Sequence, residues 1–121
     1  KPNMILNGKD SGIKNKKDEV ADLTLKCIQN NLPTEMPGVA FLSGGQSEFE
    51  ATENLNQINK QNKSSFAFTY SFGRALQQSA LKTWAKDLKN IEAVQKVFDE
   101  RSEMNSLAAK GEWSADLENA A

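Results

Sequence analysis

Two glycine-bearing junctions in the sequence could hold a phosphate, and Lys1 could supply an amine. The first is Ser43-Gly44-Gly45-Gln46-Ser47, which follows an apolar run and leads into a helical pattern. Backbone N–H groups are free in the first turn of a helix, and the helix dipole adds positive potential there. Glycine lets the main chain approach an anion with no Cβ in the way. The second junction, Tyr70-Ser71-Phe72-Gly73-Arg74, repeats the plan and adds a guanidinium. A cation at a helix start opposes the dipole, a conflict that a bound anion would resolve. A glycine pair after a strand also serves simply to turn the chain, and a lone lysine is usually a solvated surface group. The three features gain force only if one end of one sheet collects them.

Composition narrows the chemistry. The sequence has no histidine, which removes His-based triads, a His general base and His metal ligands. One cysteine, Cys27, allows no internal disulfide and makes a zinc site untenable, so no metal is expected. The unpaired cysteine fits a reducing, cytoplasmic setting. A formal net charge of −1 and no long basic run argue against nucleic acid as a partner. The longest apolar stretch, residues 38–42, is far too short to cross a membrane. No signal peptide is evident, and a start at Lys1 rather than Met suggests a piece of a longer chain.

The elements that would position these groups alternate along 121 residues, roughly one domain by length. Met4 to Leu6 read as the tail of a strand, followed by a polar loop over 9–17. The spacing of Val20, Leu23 and Cys27, and of Ala21, Leu25, Ile28 and Leu32, predicts a helix over 18–31 with those residues on its apolar face and Asp18 as its cap. Residues 38–42 suit a strand covered on both faces. A helix over 47–60 follows, opened by a capping box at Ser47 and Glu50, with Phe49, Thr52, Leu55 and Ile58 as its inner stripe. Phe66, Phe68 and Tyr70 alternate in a strand over 65–71. Helices are expected over 74–85 and 90–109, the second turning Ile91, Val94, Phe98 and Leu107 inward. Trp84 reads as core, and 112–121 as a mobile polar tail after a folded segment 1–111. Strand–helix alternation predicts an α/β fold with parallel strands, whose strand C-termini gather Lys1, Asn3, Ser43, Gly44, Gly45, Ser71, Gly73 and Arg74 at one end. That set matches a phosphorylated ligand better than an apolar one.

Several separated motifs resemble the class I fructose-bisphosphate aldolases, in the order and spacing of that family's C-terminal portion. They are Lys1-Pro2-Asn3-Met4, the stretch from Pro37 to Ser47, Leu55-Asn56-Gln57-Ile58-Asn59, the stretch from Phe68 to Gln77, Ser79-Ala80-Leu81-Lys82-Thr83-Trp84 and Asn105-Ser106-Leu107-Ala108. The resemblance runs from Lys1 to about Gly111 and implies the closing part of a (β/α)8 TIM barrel. On that comparison the chain starts at the end of the sixth strand, with 38–43 as the seventh and 65–71 as the eighth, each with its helix, then a C-terminal helix.

The resemblance also implies roles. Lys1 falls on the Schiff-base lysine. Ser43, Gly44, Gly73 and Arg74 fall on the site for the phosphate nearest the ketone, Gly45 and Ser71 in the same pocket, and Leu42 on its wall. The implied activity is reversible cleavage of fructose 1,6-bisphosphate to dihydroxyacetone phosphate and glyceraldehyde 3-phosphate, in glycolysis and gluconeogenesis, with no cofactor. A sugar phosphate would be the ligand, a homotetramer the assembly and the cytoplasm the setting. The family's proton-transfer acids and second phosphate site match no residue here, so the 121 residues alone should be inactive. Phe72 stands where many members carry Tyr, and the sequence closes on Glu118-Asn119-Ala120-Ala121 where many close on Tyr. The alternatives are a non-catalytic phosphate-binding or protein-interaction module of the same origin, and another Schiff-base barrel acting on a different ketose phosphate.

Overall fold

The computed structural model describes residues 1–119. Its elements are α1 (Lys17–Asn31), β1 (Gly38–Phe41), α2 (Glu48–Gln61), β2 (Ala67–Tyr70), α3 (Arg74–Lys86) and α4 (Ile91–Lys110), with short 3-10 turns at Lys9–Ser11 and Ala115–Asn119. The α/β alternation expected from the sequence is present, and β1 and β2 are parallel, in register from Gly38 opposite Ala67 to Phe41 opposite Tyr70. Helix α2 makes the crossover between them, as a parallel pair requires.

A third segment joins the sheet at a single point. The trans peptide between Phe41 and Leu42 directs its C=O and N–H to opposite sides. Its carbonyl accepts from Ser71 N at 2.8 Å, and its N–H donates to the Pro2 carbonyl at 2.9 Å. Asn3 and Leu42 thus form an isolated parallel bridge on the edge of β1 away from β2. The strand tail expected at Met4 to Leu6 does not form. Past the bridge, Ile5 N donates to the Thr24 hydroxyl at 3.0 Å, so the chain leaves the sheet for α1.

Apolar burial holds the layers together. Phe41, Leu55 and Ile58 are fully enclosed, with Val20, Ile28, Val39 and Phe68 around them. Phe41 and Phe68 stack across the strand pair at 5.7 Å between centroids. Their burial favours the fold by about 1.5–3 kcal/mol each. Gly38 is required by proximity, since a Cβ there would lie 2.4 Å from the Ala67 carbonyl oxygen. The amide of Asn59 reaches the carbonyls of Phe68 at 3.3 Å and Ala108 at 3.2 Å, joining α2 to β2 and α4.

Some expected positions differ. Helix α1 starts at Lys17 with Lys16 at its N-cap position and no side-chain cap, so Asp18 lies within the first turn. Asp18 instead accepts from Gln57 Nε2 at 2.7 Å, pairing α1 with α2. Trp84, Phe49, Ile91 and Leu23 are 48%, 41%, 62% and 42% exposed, although the sequence placed them inside. Cys27 is exposed as well.

The stretch 112–119 packs against the body, where the sequence suggested a mobile tail. Gly111 ends α4 at φ +73°, and Glu112 N returns to the Leu107 carbonyl at 3.0 Å. The reversal drops Trp113 edge-on against Phe49 at 5.3 Å, and Trp113 N donates to Asn56 Oδ1 at 3.0 Å. Glu118 then receives both Arg101 guanidinium nitrogens, at 2.9 and 2.7 Å, and Trp113 Nε1 at 3.0 Å. The final two positions of the expected tail, 120 and 121, lie outside the described residues.

Candidate functional site

Three chain segments meet where β1 and β2 end. Lys1 sits next to the Asn3 bridge, the first junction leaves β1 at Leu42, and the second leaves β2 at Ser71. One open cavity of about 450 Å³ is lined by Lys1, Leu42, Ser43, Gly44, Gly45, Ser71, Gly73 and Arg74. These are the residues the sequence singled out, drawn from positions up to 73 apart in the chain, except Asn3, which lines a neighbouring groove. Gln46, Ala75 and Gln78 complete the wall. Lys1, Ser71 and Arg74 are exposed to it, while Leu42 and Ser43 are half-buried.

The first junction is shaped by its glycines. Ser43 through Gln46 make a turn closed by Gln46 N donating to the Ser43 carbonyl at 3.1 Å. Gly45, third in that turn, has φ +79°, the left-handed conformation that type II turns reserve for glycine. Gly44 sits close to its neighbours: a Cβ there would lie 3.1 Å from Leu42 Cδ1 and 3.2 Å from Asn3 Nδ2, so either side chain would have to give way. The start of α2 beyond it is closed. Ser47 Oγ accepts from Glu50 N at 3.1 Å, and Ser47 N donates to the Glu50 carboxylate at 2.9 Å. With Glu48 and Glu50 in its first turn, α2 offers no anion site at its end, so this junction can contribute only its turn.

The second junction is open. Gly73 precedes α3 with no side-chain cap and no acid in the first turn. The earliest donors into the Gly73 carbonyl are Leu76 N at 3.0 Å and Gln77 N at 3.2 Å. The N–H groups ahead of them have no partner within the helix, which is the general condition of a helix start. Arg74, the first residue of α3, lines the same cavity with its cation. A turn backbone, an open helix start, a guanidinium and two hydroxyls can take up a phosphate dianion. An amine across the same space can reach an electrophilic carbon of the phosphate's carrier.

Gln46 and Gln78 went unnoticed in the sequence. Gln78 had a readable signal, since it lies one turn after Arg74 and shares its helix face. Gln46 had none. Its Oε1 accepts from Asn54 Nδ2 at 2.8 Å, eight positions on, and its Nε2 reaches Met4 Sδ at 3.7 Å, 42 positions back. Also unforeseen is the tie between α2 and α3, in which the Glu48 carboxylate accepts from Ser79 N at 2.9 Å and from the Ser79 hydroxyl.

Comparison with known proteins adds a family. A model of class-I fructose-bisphosphate aldolases matches residues 1–121. The cytosolic fructose-bisphosphate aldolase 4 of Arabidopsis thaliana is 46% identical over 119 residues, which is 98% of this chain and 30% of the plant protein. Fructose-bisphosphate aldolase of Dictyostelium discoideum is 42% identical over 116 residues, 96% of this chain and 32% of its own length. Among solved structures, Plasmodium falciparum fructose-bisphosphate aldolase in complex with TRAP and a small-molecule inhibitor superposes with a TM-score of 0.89 at 42% identity. That match covers 94% of this chain and 33% of the Plasmodium chain. The chain spans about a third of the length of these relatives.

Proposed function

The chain belongs to the class-I fructose-bisphosphate aldolase family, and on that premise we propose that it carries the nucleophile and one phosphate clamp of a fructose 1,6-bisphosphate aldolase. In that reading β1 and β2 are the seventh and eighth strands of a (β/α)8 barrel, and Asn3 marks the end of the sixth. The observation that carries the reading is the shared cavity of Lys1, Ser43, Gly44, Gly73 and Arg74. The family places active sites at the strand C-termini of its barrel, as barrels do generally.

The chemistry follows from those groups. The neutral Lys1 amine adds to the substrate ketone, and loss of water leaves an iminium, an electron sink. The adjacent carbon–carbon bond breaks, its electron pair moves into the iminium to form an enamine, and glyceraldehyde 3-phosphate departs. Protonation of the enamine carbon and hydrolysis release dihydroxyacetone phosphate and restore the amine. Ser43, Gly44, Gly45, Ser71, Gly73 and Arg74 hold the phosphate beside the ketone, and Leu42 walls the pocket. Holding carbonyl and amine together converts a bimolecular addition into an effectively unimolecular one. Proton transfer at the hydroxyl of the departing aldehyde falls to acidic groups beyond these 121 residues. The working unit is a homotetramer in the cytoplasm, by likeness to the family.

Borohydride reduction of the full-length protein with dihydroxyacetone phosphate tests this. Peptide mapping should find the reduced adduct on Lys1. An adduct on another lysine overturns the assignment.

A further inference from the structure

Lys1 and the phosphate turn must keep a fixed separation for one ketose phosphate to reach both, and the structure contains a device that sets it. We propose that Asn3 is a positioning residue that couples the lysine segment to the phosphate turn; the inference rests on the function proposed above. Asn3 uses both ends of its side-chain amide. Its Nδ2 donates to the Gly44 carbonyl at 3.1 Å, across 41 positions of sequence, and its Oδ1 accepts from Met4 N at 2.9 Å. The backbone bridge between Asn3 and Leu42 lies alongside. The lysine segment is therefore fastened to the first junction at Leu42, just before the glycine turn, and at Gly44 within it.

The second side of the argument is what Asn3 does not touch. It is absent from the wall of the cavity shared by Lys1 and Arg74, and it lines a neighbouring groove with Met4, Gly44 and Gly45 instead. Its influence on the reaction runs through Gly44 and the peptide it shares with the Lys1 segment. The glycine at 44 suits this arrangement, since a Cβ would stand 3.2 Å from the same Nδ2. A second clasp runs parallel, from the buried Asn54 through Gln46 to Met4. Two fastenings on successive residues are more than the bare turn needs to fold. They make the separation of the Lys1 segment and the phosphate turn a property of the scaffold.

A coupling residue and a merely structural one differ in what their loss affects. In the full-length protein, Asn3→Ala should slow Schiff-base trapping at Lys1 with subsaturating dihydroxyacetone phosphate by roughly five- to tenfold. Trapping with phosphate-free dihydroxyacetone should stay within about twofold, because that ketone has no phosphate to align. Asn3→Ser keeps a short acceptor for Met4 N and is too short to span to Gly44, so it should show the same selective loss even if the alanine variant fails to fold. Equal slowing of both ketones, or no slowing of either, overturns the inference and leaves the proposed function standing. Absence of a Lys1 adduct in the unsubstituted protein overturns both.

Discussion

At the junction after β1 the helix start is closed by its own side chains, whereas at the junction after β2 it is left open. Ser47 and Glu50 satisfy each other's backbone N–H groups at the start of α2, and two glutamates occupy its first turn. Helix α3 begins at Gly73 with no cap, no acid and a cationic Arg74. In isolation the second arrangement is the poorer one, since an uncapped start forgoes about 1 kcal/mol and a cation there opposes the dipole. The two junctions divide the work. The first contributes a rigid glycine turn and a well-nucleated helix, and the second spends local stability on unsatisfied donors that a phosphate can fill.

Placing a carboxylate at the open start should have the largest effect. Gly73→Asp in the full-length protein would cap α3 and put negative charge at the proposed phosphate site. Coulomb repulsion of about 3 kcal/mol predicts a rise in KM of roughly 100-fold or more, alongside an unchanged or higher Tm. A normal KM with raised Tm would mean that the helix start plays no part in binding. Arg74→Ala would remove the charge-assisted contact proposed for the phosphate and should raise KM by about 10- to 100-fold with little change in Tm, read from steady-state kinetics. Gly45→Ala forces a Cβ into the left-handed region and should cost about 1–2 kcal/mol of stability, visible in urea unfolding. Ser47→Ala should cost about 1 kcal/mol in the same assay and leave KM within twofold. A large KM change from Ser47→Ala would erase the contrast between the junctions.

The capping box at Ser47 was legible because its partners are three residues apart, and so was the β1 apolar run, because full burial leaves no alternation to read. Both junctions could be found for the same local reason. What distinguishes them was legible only in part: the Ser47 and Glu50 box marks the first helix start as closed, but nothing in the sequence separates the left-handed Gly45, at φ +79°, from Gly73, at φ −92° before an uncapped helix. The phosphate-binding candidates were gathered by assuming parallel strands with aligned C-termini, and the single bridge at Asn3 is enough to bring Lys1 into that group. Trp84 and Ile91 were misjudged because periodicity marks apolar positions without saying what covers them, and nothing among the described residues closes over the outer side of α3. Trp113 posed the opposite problem. Its burial depends on Gly111 turning the chain back and on Arg101, a full 12 positions earlier, meeting Glu118.

The two tryptophans of this sequence therefore occupy opposite optical environments. Trp113 is 3% exposed and Trp84 is 48% exposed, so emission from the first should lie to the blue of the second and be better shielded from aqueous iodide. The Arg101–Glu118 clamp is the latch on that shielding. Any event that frees residues 112–119 from α4 announces itself as a red shift with new iodide sensitivity, which turns an unassuming polar stretch into a built-in fluorescent reporter of its own docking.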